Sequence, residues 1–236
     1  MKINKCYVVH YTKLKERKEL LDQQLQALGL EPQYITSFDK EDLSHVIVDA
    51  FYEKNAEAHD AKIENLWDPI VHTYRELHEA EISCTLKHFE ALHQIAQSED
   101  DYGLILEDDV VFSGEFSNSF DKFLSETPSD WDAIFIGAGC GTGFQNIKLK
   151  SSKKINDNCF LVDHPATNCA EAYLIKKEMA ANIYESAKPF HLISDWELAY
   201  QLFKFKANVY WWYPSLIEQG SKNGMYASTL ELGQRR

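Results

Sequence analysis

The feature that most constrains this chain is a short apolar strand that runs directly into three consecutive acidic residues. The stretch from Tyr102 to Leu106 is typical of a buried strand, and Glu107, Asp108 and Asp109 follow it. Two carboxylates held about 4 Å apart at an effective dielectric constant near 20 repel each other by roughly 4 kcal/mol. A buried strand end of this kind predicts a bound cation or bound protons, and an exposed acidic turn is the alternative that needs neither.

The geometry of an extended backbone divides the three acids between two faces. Side chains alternate along a strand, so Glu107 and Asp109 are predicted to share one face while Asp108 points to the other. Carboxylate oxygens are the ligands that Mg²⁺ and Mn²⁺ prefer, particularly where phosphate oxygens complete the coordination. Open α/β sheets also bind their ligands at the carboxyl ends of strands. We therefore expect Glu107 and Asp109 to reach one metal ion or its diphosphate.

The pattern around this turn indicates an α/β fold. A strand is predicted from Cys6 to Tyr11, a helix from Lys13 to Leu28 ending at Gly29, and a second strand from Gln33 to Phe38. A strand-helix-strand unit of this kind opens a sheet with parallel neighbours. Residues 39–78 show no sustained period, which leaves short helices or a mobile excursion.

The alternation continues to the end of the chain. Helices are predicted at 79–97, around 115–125, and at about 176–187 and 195–204, and strands at 102–106, 131–136, 159–162, 170–175 and 209–213. We expect one domain with a donor- and metal-binding half over about 1–137 and an acceptor-binding half over 138–236. The glycines of 137–143 have GxGxGxG rather than GxGxxG spacing, which disfavours a dinucleotide site and leaves a loop beside a sugar or a plain connector.

Composition excludes several classes of function. The 236 residues are 44% hydrophobic, which suits one large domain, and the net charge of −13 disfavours nucleic acid and wide contact with anionic lipid. No apolar run approaches the roughly 18 residues of a transmembrane span. The apolar stretch near the start of the sequence is too short for a secretory signal. We expect a cytoplasmic protein, at most in peripheral contact with the inner face of a membrane. Five widely spaced cysteines without a CxxC pair indicate reduced thiols.

A second candidate site spans residues 189–197 and includes the start of the helix predicted at 195–204. Asp195 at a helix start is a candidate general base for an acceptor hydroxyl. Glu197 is a second candidate base, although Ser194 and Glu197 also have the spacing of a capping box, a structural role that we favour for Glu197. His191 is a candidate to complete the metal coordination, with an ordinary polar contact as the alternative and His164 as an equal competitor.

Several single residues have two interpretations each. Arg17 either binds a diphosphate or lies on a solvated helix face, and His88 is by default a packed, hydrogen-bonded histidine. The aromatic run Trp211-Trp212-Tyr213 either stacks on a sugar ring or belongs to a half-buried strand.

The chain resembles glycosyltransferase family 25, the group that includes bacterial lipopolysaccharide galactosyltransferases and collagen galactosyltransferases. The resemblance covers nearly the whole chain and rests on five segments: Val8-Val9-His10-Tyr11 with Arg17 and Gln23-Gln24-Leu25, Glu81-Ile82-Ser83-Cys84-Thr85-Leu86-Lys87-His88, Leu104-Ile105-Leu106-Glu107-Asp108-Asp109-Val110, Ser194-Asp195-Trp196-Glu197, and Pro214-Ser215-Leu216-Ile217-Glu218-Gln219.

This resemblance implies a GT-A type α/β fold with a mixed central sheet flanked by helices. It also implies a UDP-sugar donor, a Mn²⁺ or Mg²⁺ ion, inversion at the anomeric carbon, and a glycan or glycolipid acceptor such as lipopolysaccharide. We then expect contacts to the donor from five residues: His10, Arg17, His88, Glu107 and Asp108. Two alternatives stay open, namely another metal-dependent nucleotidyl or phosphoryl transferase and a catalytically inactive sugar-binding module.

Overall fold

The computed structural model describes residues 3–66, 72–139, 152–162 and 170–226. In these ranges the strands are β1 (Lys5–Val9), β2 (Glu31–Ile35), β3 (Tyr102–Glu107), β4 (Val110–Phe112), β5 (Ala133–Phe135), β6 (Lys153–Lys154), β7 (Cys159–Leu161), β8 (Ala172–Lys176), β9 (Val209–Trp212) and β10 (Ile217–Gln219). The helices are α1 (Lys15–Leu28), α2 (His45–Phe51), α3 (Ala56–Ile63), α4 (Glu79–Gln97), α5 (Phe116–Glu126), α6 (Lys177–Ser186) and α7 (Ser194–Lys204), with a 3₁₀ turn at Lys40–Asp42.

One mixed sheet organises the described part of the chain. Its strand order is β2-β1-β3-β8-β5-β9-β7-β6, and β10 pairs separately with β4. The pairs β1–β2, β1–β3 and β5–β9 are parallel, whereas β8 is antiparallel to both of its neighbours, β3 and β5. Strand β8 therefore lies inside the sheet between β3 and β5, two strands that both precede it in the chain.

Helices cover both faces of this sheet, because successive strand residues point to opposite sides. Val9 and Ile105 pack in one hydrophobic cluster with residues of α4, α6 and α7. Val8 and Leu106 pack in the other cluster with residues of α1 and α5. The predicted α/β architecture, a mixed central sheet flanked by helices, is confirmed.

The elements with strong periodicity have nearly the predicted bounds. Helix α4 spans the predicted residues, and α1 ends at Gly29, which adopts the left-handed conformation at φ 67° that a helix C-terminus favours. In the region 39–78, the described residues form the short helices α2 and α3. Strand β2 ends at Ile35, three residues before the predicted end, and Phe38 has a positive φ of 66°.

Some predictions fall on residues outside the described ranges. His164, most of the glycine-containing loop, and the cysteines Cys140 and Cys169 are among them. None of the helices in the described ranges combines the length and the apolar character that a bilayer span requires.

Candidate functional site

The topology of the sheet brings several polar residues to one edge. Because β1 and β3 are parallel neighbours, His10 after β1 lies beside the acidic turn after β3. Because β8 runs antiparallel to β3, the residue before β8, Glu171, lies at the same edge. The backbone N–H of Glu107 donates to the carbonyl oxygen of Glu171 at 2.8 Å.

Asp108 is the acid that faces β1 and α1, as strand alternation predicts. Its Oδ2 accepts from the backbone N–H of Tyr11 at 3.2 Å and lies 2.8 Å from Nδ1 of His10. Its Oδ1 accepts from the Arg17 guanidinium at 2.9 Å. His10, Arg17 and Asp108 are all buried, so the interpretation of Arg17 as part of a solvated helix face is wrong.

Asp109 is held differently, by the segment that follows β10. Its backbone oxygen accepts from Gly220 N–H at 2.7 Å, and its Oδ2 accepts from Ser221 N–H at 3.3 Å. Its Oδ1 is buried and has no hydrogen-bond partner among the described residues. Burial, and secondly the charge of Glu107, raise the pKa of Asp109 to about 6. This carboxylate has an unpaired oxygen and a repelling neighbour, which is the environment that favours a cation.

Glu107 lies between α4 and β10. Its Oε1 is 3.4 Å from Nε2 of His88, and its Oε2 accepts from the side-chain amide of Gln219 at 3.2 Å. Nδ1 of His88 lies 3.2 Å from the hydroxyl of Tyr173. His88 is packed and hydrogen-bonded, as its default interpretation predicts, and the structure also brings it to the acidic turn.

Two further carboxyl groups interact electrostatically with Glu107. Glu171 is buried and accepts from Gly139 N–H at 2.8 Å, and burial raises its pKa to about 7. Asp195, in the first turn of α7, also has a pKa raised to about 7, first by burial and secondly by the charge of Glu107. Four acids, Glu107, Asp109, Glu171 and Asp195, therefore meet at one edge of the sheet.

Glu171 was missed by the sequence analysis, which included it in a strand predicted at 170–175. The available signal was an acid at the start of a buried strand. That signal identifies a site residue only if the strand runs antiparallel beside β3, and the sequence pattern does not show this pairing.

A thiol and an imidazole, which offer sulfur and nitrogen as ligand atoms, lie beside the carboxyl group of Glu107. Sγ of Cys84, a ring nitrogen of His88 and a carboxylate oxygen of Glu107 all lie within 4.8 Å of one another. The sequence predicts only a reduced thiol at Cys84, because the proximity of Glu107 to Cys84 and His88 on α4 depends on the packing of α4 against β3.

The structure corrects the interpretation of Glu197. Helix α7 begins at Ser194 with Ile193 at its N-cap and without a side-chain capping bond, so the predicted capping box is wrong. The Glu197 carboxylate is fully buried and pairs with Lys62 Nζ at 2.7 and 2.8 Å. It also accepts from Gln201 at 2.8 Å and from the backbone N–H of His191 at 3.2 Å. Both oxygens of the Glu197 carboxylate are therefore engaged in the interior by an ion pair and hydrogen bonds.

His191 makes a polar contact with a carboxylate, and the two tryptophans of β9 lie in the core. Nε2 of His191 lies 2.9 Å from a carboxylate oxygen of Glu53, and its Nδ1 is buried with no hydrogen-bond partner in the described part of the chain. Trp211 and Trp212 are 1% and 0% exposed. Their indole N–H groups donate to the carbonyl of Gly137 and the hydroxyl of Thr127, so stacking of these two rings on a sugar is wrong.

A different tryptophan lines an open cavity. Trp196 follows Asp195 directly and faces a cavity of about 230 Å³. Its other lining residues include His59, His72 and Arg75. The ring of Trp196 meets that of His72 edge to face, with centroids 4.6 Å apart.

Comparison with known proteins decides the family. The sequence model of glycosyltransferase family 25 (LPS biosynthesis protein) matches residues 3–198. The chain belongs to glycosyltransferase family 25. A search of the curated proteins finds no match to this family 25 chain.

Two solved structures are similar to the family 25 chain in outline. The inositol-1-phosphate CTP transferase from T. maritima is 10% identical, with a TM-score of 0.48 over 96% of this chain and 92% of that chain. Mouse xyloside xylosyltransferase 1 in its apo form is 11% identical, with a TM-score of 0.40 over 87% of this chain and 70% of that chain.

Proposed function

We propose that this family 25 chain is a metal-dependent, inverting glycosyltransferase. It moves a hexose, with galactose as the first choice, from a UDP-sugar to a hydroxyl of a glycan acceptor such as lipopolysaccharide or lipooligosaccharide. The observation that carries the proposal is the buried Oδ1 of Asp109 beside Glu107, an oxygen without a hydrogen-bond partner in the ranges that the structure describes.

The residues at the acidic turn fit a divalent metal ion. An unsatisfied buried oxygen costs on the order of 1–3 kcal/mol, and two adjacent carboxylates add repulsion, both of which a cation relieves. Glu107 and Asp109 would hold Mn²⁺ or Mg²⁺, ions that prefer carboxylate oxygens. When bound, the ion would neutralise negative charge on the departing diphosphate.

The donor belongs on the side of the acidic turn that faces β1. His10, Arg17 and Asp108 form one ion-paired group at the carboxyl ends of β1 and β3, the edge at which open α/β sheets bind ligands. His88 approaches the same turn from α4. We assign these residues to the donor, and their mutual bonds would hold the donor surface in place before the sugar nucleotide arrives.

Asp195 is our choice of general base. It would accept the proton of the acceptor hydroxyl while that oxygen forms the new bond to the anomeric carbon from the face opposite to the departing UDP. A pKa raised to about 7 makes the ionised carboxylate a stronger base than an ordinary aspartate. The backbone N–H of Trp196 donates to Asp195 Oδ1 at 3.0 Å and would orient the carboxylate. The adjoining cavity beside Trp196 is the proposed acceptor subsite.

The decisive experiment is a thermal-shift screen of UDP-sugars with Mn²⁺ or with a chelator, followed by a transfer assay on glycan acceptors. A bound donor raises the melting temperature according to its concentration relative to Kd. We expect a shift with UDP-galactose that requires the metal, and transfer with inversion. Turnover of nucleoside triphosphates without sugar transfer would favour a nucleotidyl or phosphoryl transferase. UDP binding with the same affinity in the presence and absence of Mn²⁺ would favour a sugar-binding module.

A further inference from the structure

Helix α4 and strand β3 bring together three side chains of mixed chemistry. Cys84 and His88 are four residues apart on α4, so their side chains lie one above the other on the same face of the helix. Glu107, the last residue of β3, reaches that face. The Cys84 sulfur, a ring nitrogen of His88 and a carboxylate oxygen of Glu107 lie within 4.8 Å of one another.

The separation of His88 and Glu107 matches the spacing of two metal ligands. Nε2 of His88 lies 3.4 Å from Oε1 of Glu107, which is long for a hydrogen bond whose usual length is about 2.9–3.0 Å. Two ligands with zinc bonds of about 2.0–2.2 Å in a tetrahedron are separated by roughly 3.4 Å. The Cys84 sulfur, which also lies 3.7 Å from the hydroxyl of Ser194, is the third candidate ligand atom of this group.

The contacts behind these ligands orient them as in known metal sites. A metal-bound histidine generally uses its other ring nitrogen for a hydrogen bond. Nδ1 of His88 lies 3.2 Å from the hydroxyl of Tyr173, and the two rings are stacked with an interplanar angle of 17°. If Nδ1 carries the proton, Nε2 keeps its lone pair toward Glu107. Gln219 holds the other oxygen of Glu107 at 3.2 Å, leaving Oε1 toward His88.

The ligand set selects a different ion from the one proposed at the acidic turn. A thiolate and an imidazole favour Zn²⁺, whereas Mg²⁺ and Mn²⁺ favour oxygen ligands. Three protein ligands leave a fourth position open for water, as in sites that exchange ligands. We propose that Cys84, His88 and Glu107 form a binding site for a thiophilic divalent cation such as Zn²⁺. On binding, the Cys84 S–H bond breaks, the sulfur–metal bond forms, and the proton passes to solvent.

Occupation of this site has a functional consequence that rests on the proposed function. Glu107 belongs to both ligand sets, so an ion bound with Cys84 and His88 competes with an ion bound with Asp109 for the single negative charge of the Glu107 carboxylate. Zn²⁺ is therefore an inhibitor of Mn²⁺- or Mg²⁺-supported transfer, and Cys84 is the residue that confers the sensitivity.

Direct binding tests the site without any assay of transfer. The untagged, reduced chain is titrated with Co²⁺, whose thiolate complexes absorb in the near ultraviolet, and Zn²⁺ is then used to displace it. We expect about one equivalent of thiolate-bound cobalt in the wild type, no thiolate band in Cys84→Ala, and an unchanged band in Cys159→Ala, a buried cysteine of β7. His88→Gln should weaken Zn²⁺ binding by at least about tenfold.

Thermal melts of each variant without metal show whether it is folded, and His88→Gln provides a second reading if Cys84→Ala unfolds. A wild-type chain without a thiolate band, or a band that persists in Cys84→Ala, overturns the site. Inhibition is measured as the ratio of each variant's rate with Zn²⁺ to its own rate without it. The ratio should rise toward one in Cys84→Ala and stay low in Cys159→Ala. Loss of the proposed transfer activity would leave the cobalt result unchanged, so the two proposals fail separately.

Discussion

Asp108 and Asp109 are adjacent residues of one type in opposite environments. Asp108 has both oxygens bonded, to Arg17 on one side and to His10 and the Tyr11 N–H on the other. Asp109 has one oxygen bonded to a backbone N–H and one without a partner in the described residues. Asp108 therefore holds the ends of β1 and β3 and the start of α1 together, while Asp109 is available to a ligand.

The substitution Asp109→Asn tests this division. It removes one of two repelling charges and keeps the shape, so the chain should melt no lower than the wild type in the absence of metal. Metal-dependent UDP binding should be lost, and kcat/KM should fall by roughly 10² or more, since a single electrostatic contact at a reacting centre has that effect. The measurements are thermal melts and calorimetric titration of UDP with Mn²⁺.

Asp108→Asn is the matched control for that experiment. Weakening one partner of a buried, bonded charge pair costs up to about 3–5 kcal/mol, so this variant should melt well below the wild type. Equal melting temperatures for the two variants, or wild-type turnover in Asp109→Asn, would contradict the assignment of the acidic turn.

Asp195 and Glu197 form a second pair of acids that can be separated by substitution. Asp195→Asn should melt no lower than the wild type and keep donor affinity while transfer falls by about 10² to 10⁴, the effect of losing a general base. Glu197→Gln should instead destabilise the fold by about 3 kcal/mol or more, because Lys62 is left buried without its counter-charge. Rates come from single-turnover transfer at a temperature where both variants are folded.

The roles would be reversed if Glu197→Gln melted normally and lost transfer while Asp195→Asn stayed active. Lys62→Met with Glu197→Leu is a further control, since replacing both charges by apolar groups should restore part of the lost stability.

At the scale of secondary-structure elements, the periodicity of neighbouring residues predicts helices and strands well. It does not reveal contacts between residues that are far apart in the chain. Helix α4 and the glycine end of α1 follow from a 3.6-residue pattern and a positive φ, both of which are properties of neighbouring residues. The capping-box spacing at Ser194 and Glu197 is local too, but the side chain of Glu197 pairs with Lys62, which lies 135 positions away. A buried partner at that distance overrides a weak local preference.

Trp196, in the first turn of α7, is expected to contact the acceptor. Trp196 lines the cavity described above, where an indole face can pack against the C–H groups of a sugar. Trp196→Ala should raise the KM for the acceptor by up to about tenfold and leave the KM for the donor unchanged, since loss of one aromatic contact amounts to about 0.5–1.5 kcal/mol. Trp211→Phe serves as the comparison, because that ring is in the core and should affect stability rather than acceptor KM. Parallel increases in both KM values for Trp196→Ala would contradict an acceptor subsite.

At the scale of the whole molecule, the site depends on strand order. The acids 107–109 and Asp195 were predicted as site residues because each has a local signal, a strand end or a helix start. Glu171 joins them because β8 runs antiparallel between β3 and β5, with Glu171 just before it, and no local pattern encodes that insertion. Trp211 and Trp212 were undecided from sequence for the same reason, since burial on both faces of β9 depends on its neighbours in the sheet.

The clustering of acids predicts how the stability of the whole chain varies with pH. Burial raises the pKa of Asp109 to about 6 and the pKa values of Glu171 and Asp195 to about 7. In the unfolded chain these groups have pKa values near 4, so between pH 4 and 7 the folded state binds more protons than the unfolded state. Their stabilising effect is therefore complete below about pH 4 and is lost as pH rises through 6 to 7.

We accordingly expect the melting temperature of the metal-free chain, kept in chelator, to fall by several degrees between pH 5 and pH 8 because of these groups. Glu171→Gln isolates one of them, because its amide oxygen can still accept from Gly139 N–H but has no proton to lose. The free energy of unfolding of this variant should fall less than that of the wild type over the same range, by up to about 3 kcal/mol for a shift of this size. Mn²⁺ at pH 8 should raise the wild-type melting temperature and should do so little at pH 5, where protons compete for the same oxygens. Parallel pH profiles for wild type and Glu171→Gln would show that Glu171 ionises in the folded chain as it does in water, and the convergence of the four carboxyl groups at this edge of the sheet would then be wrong.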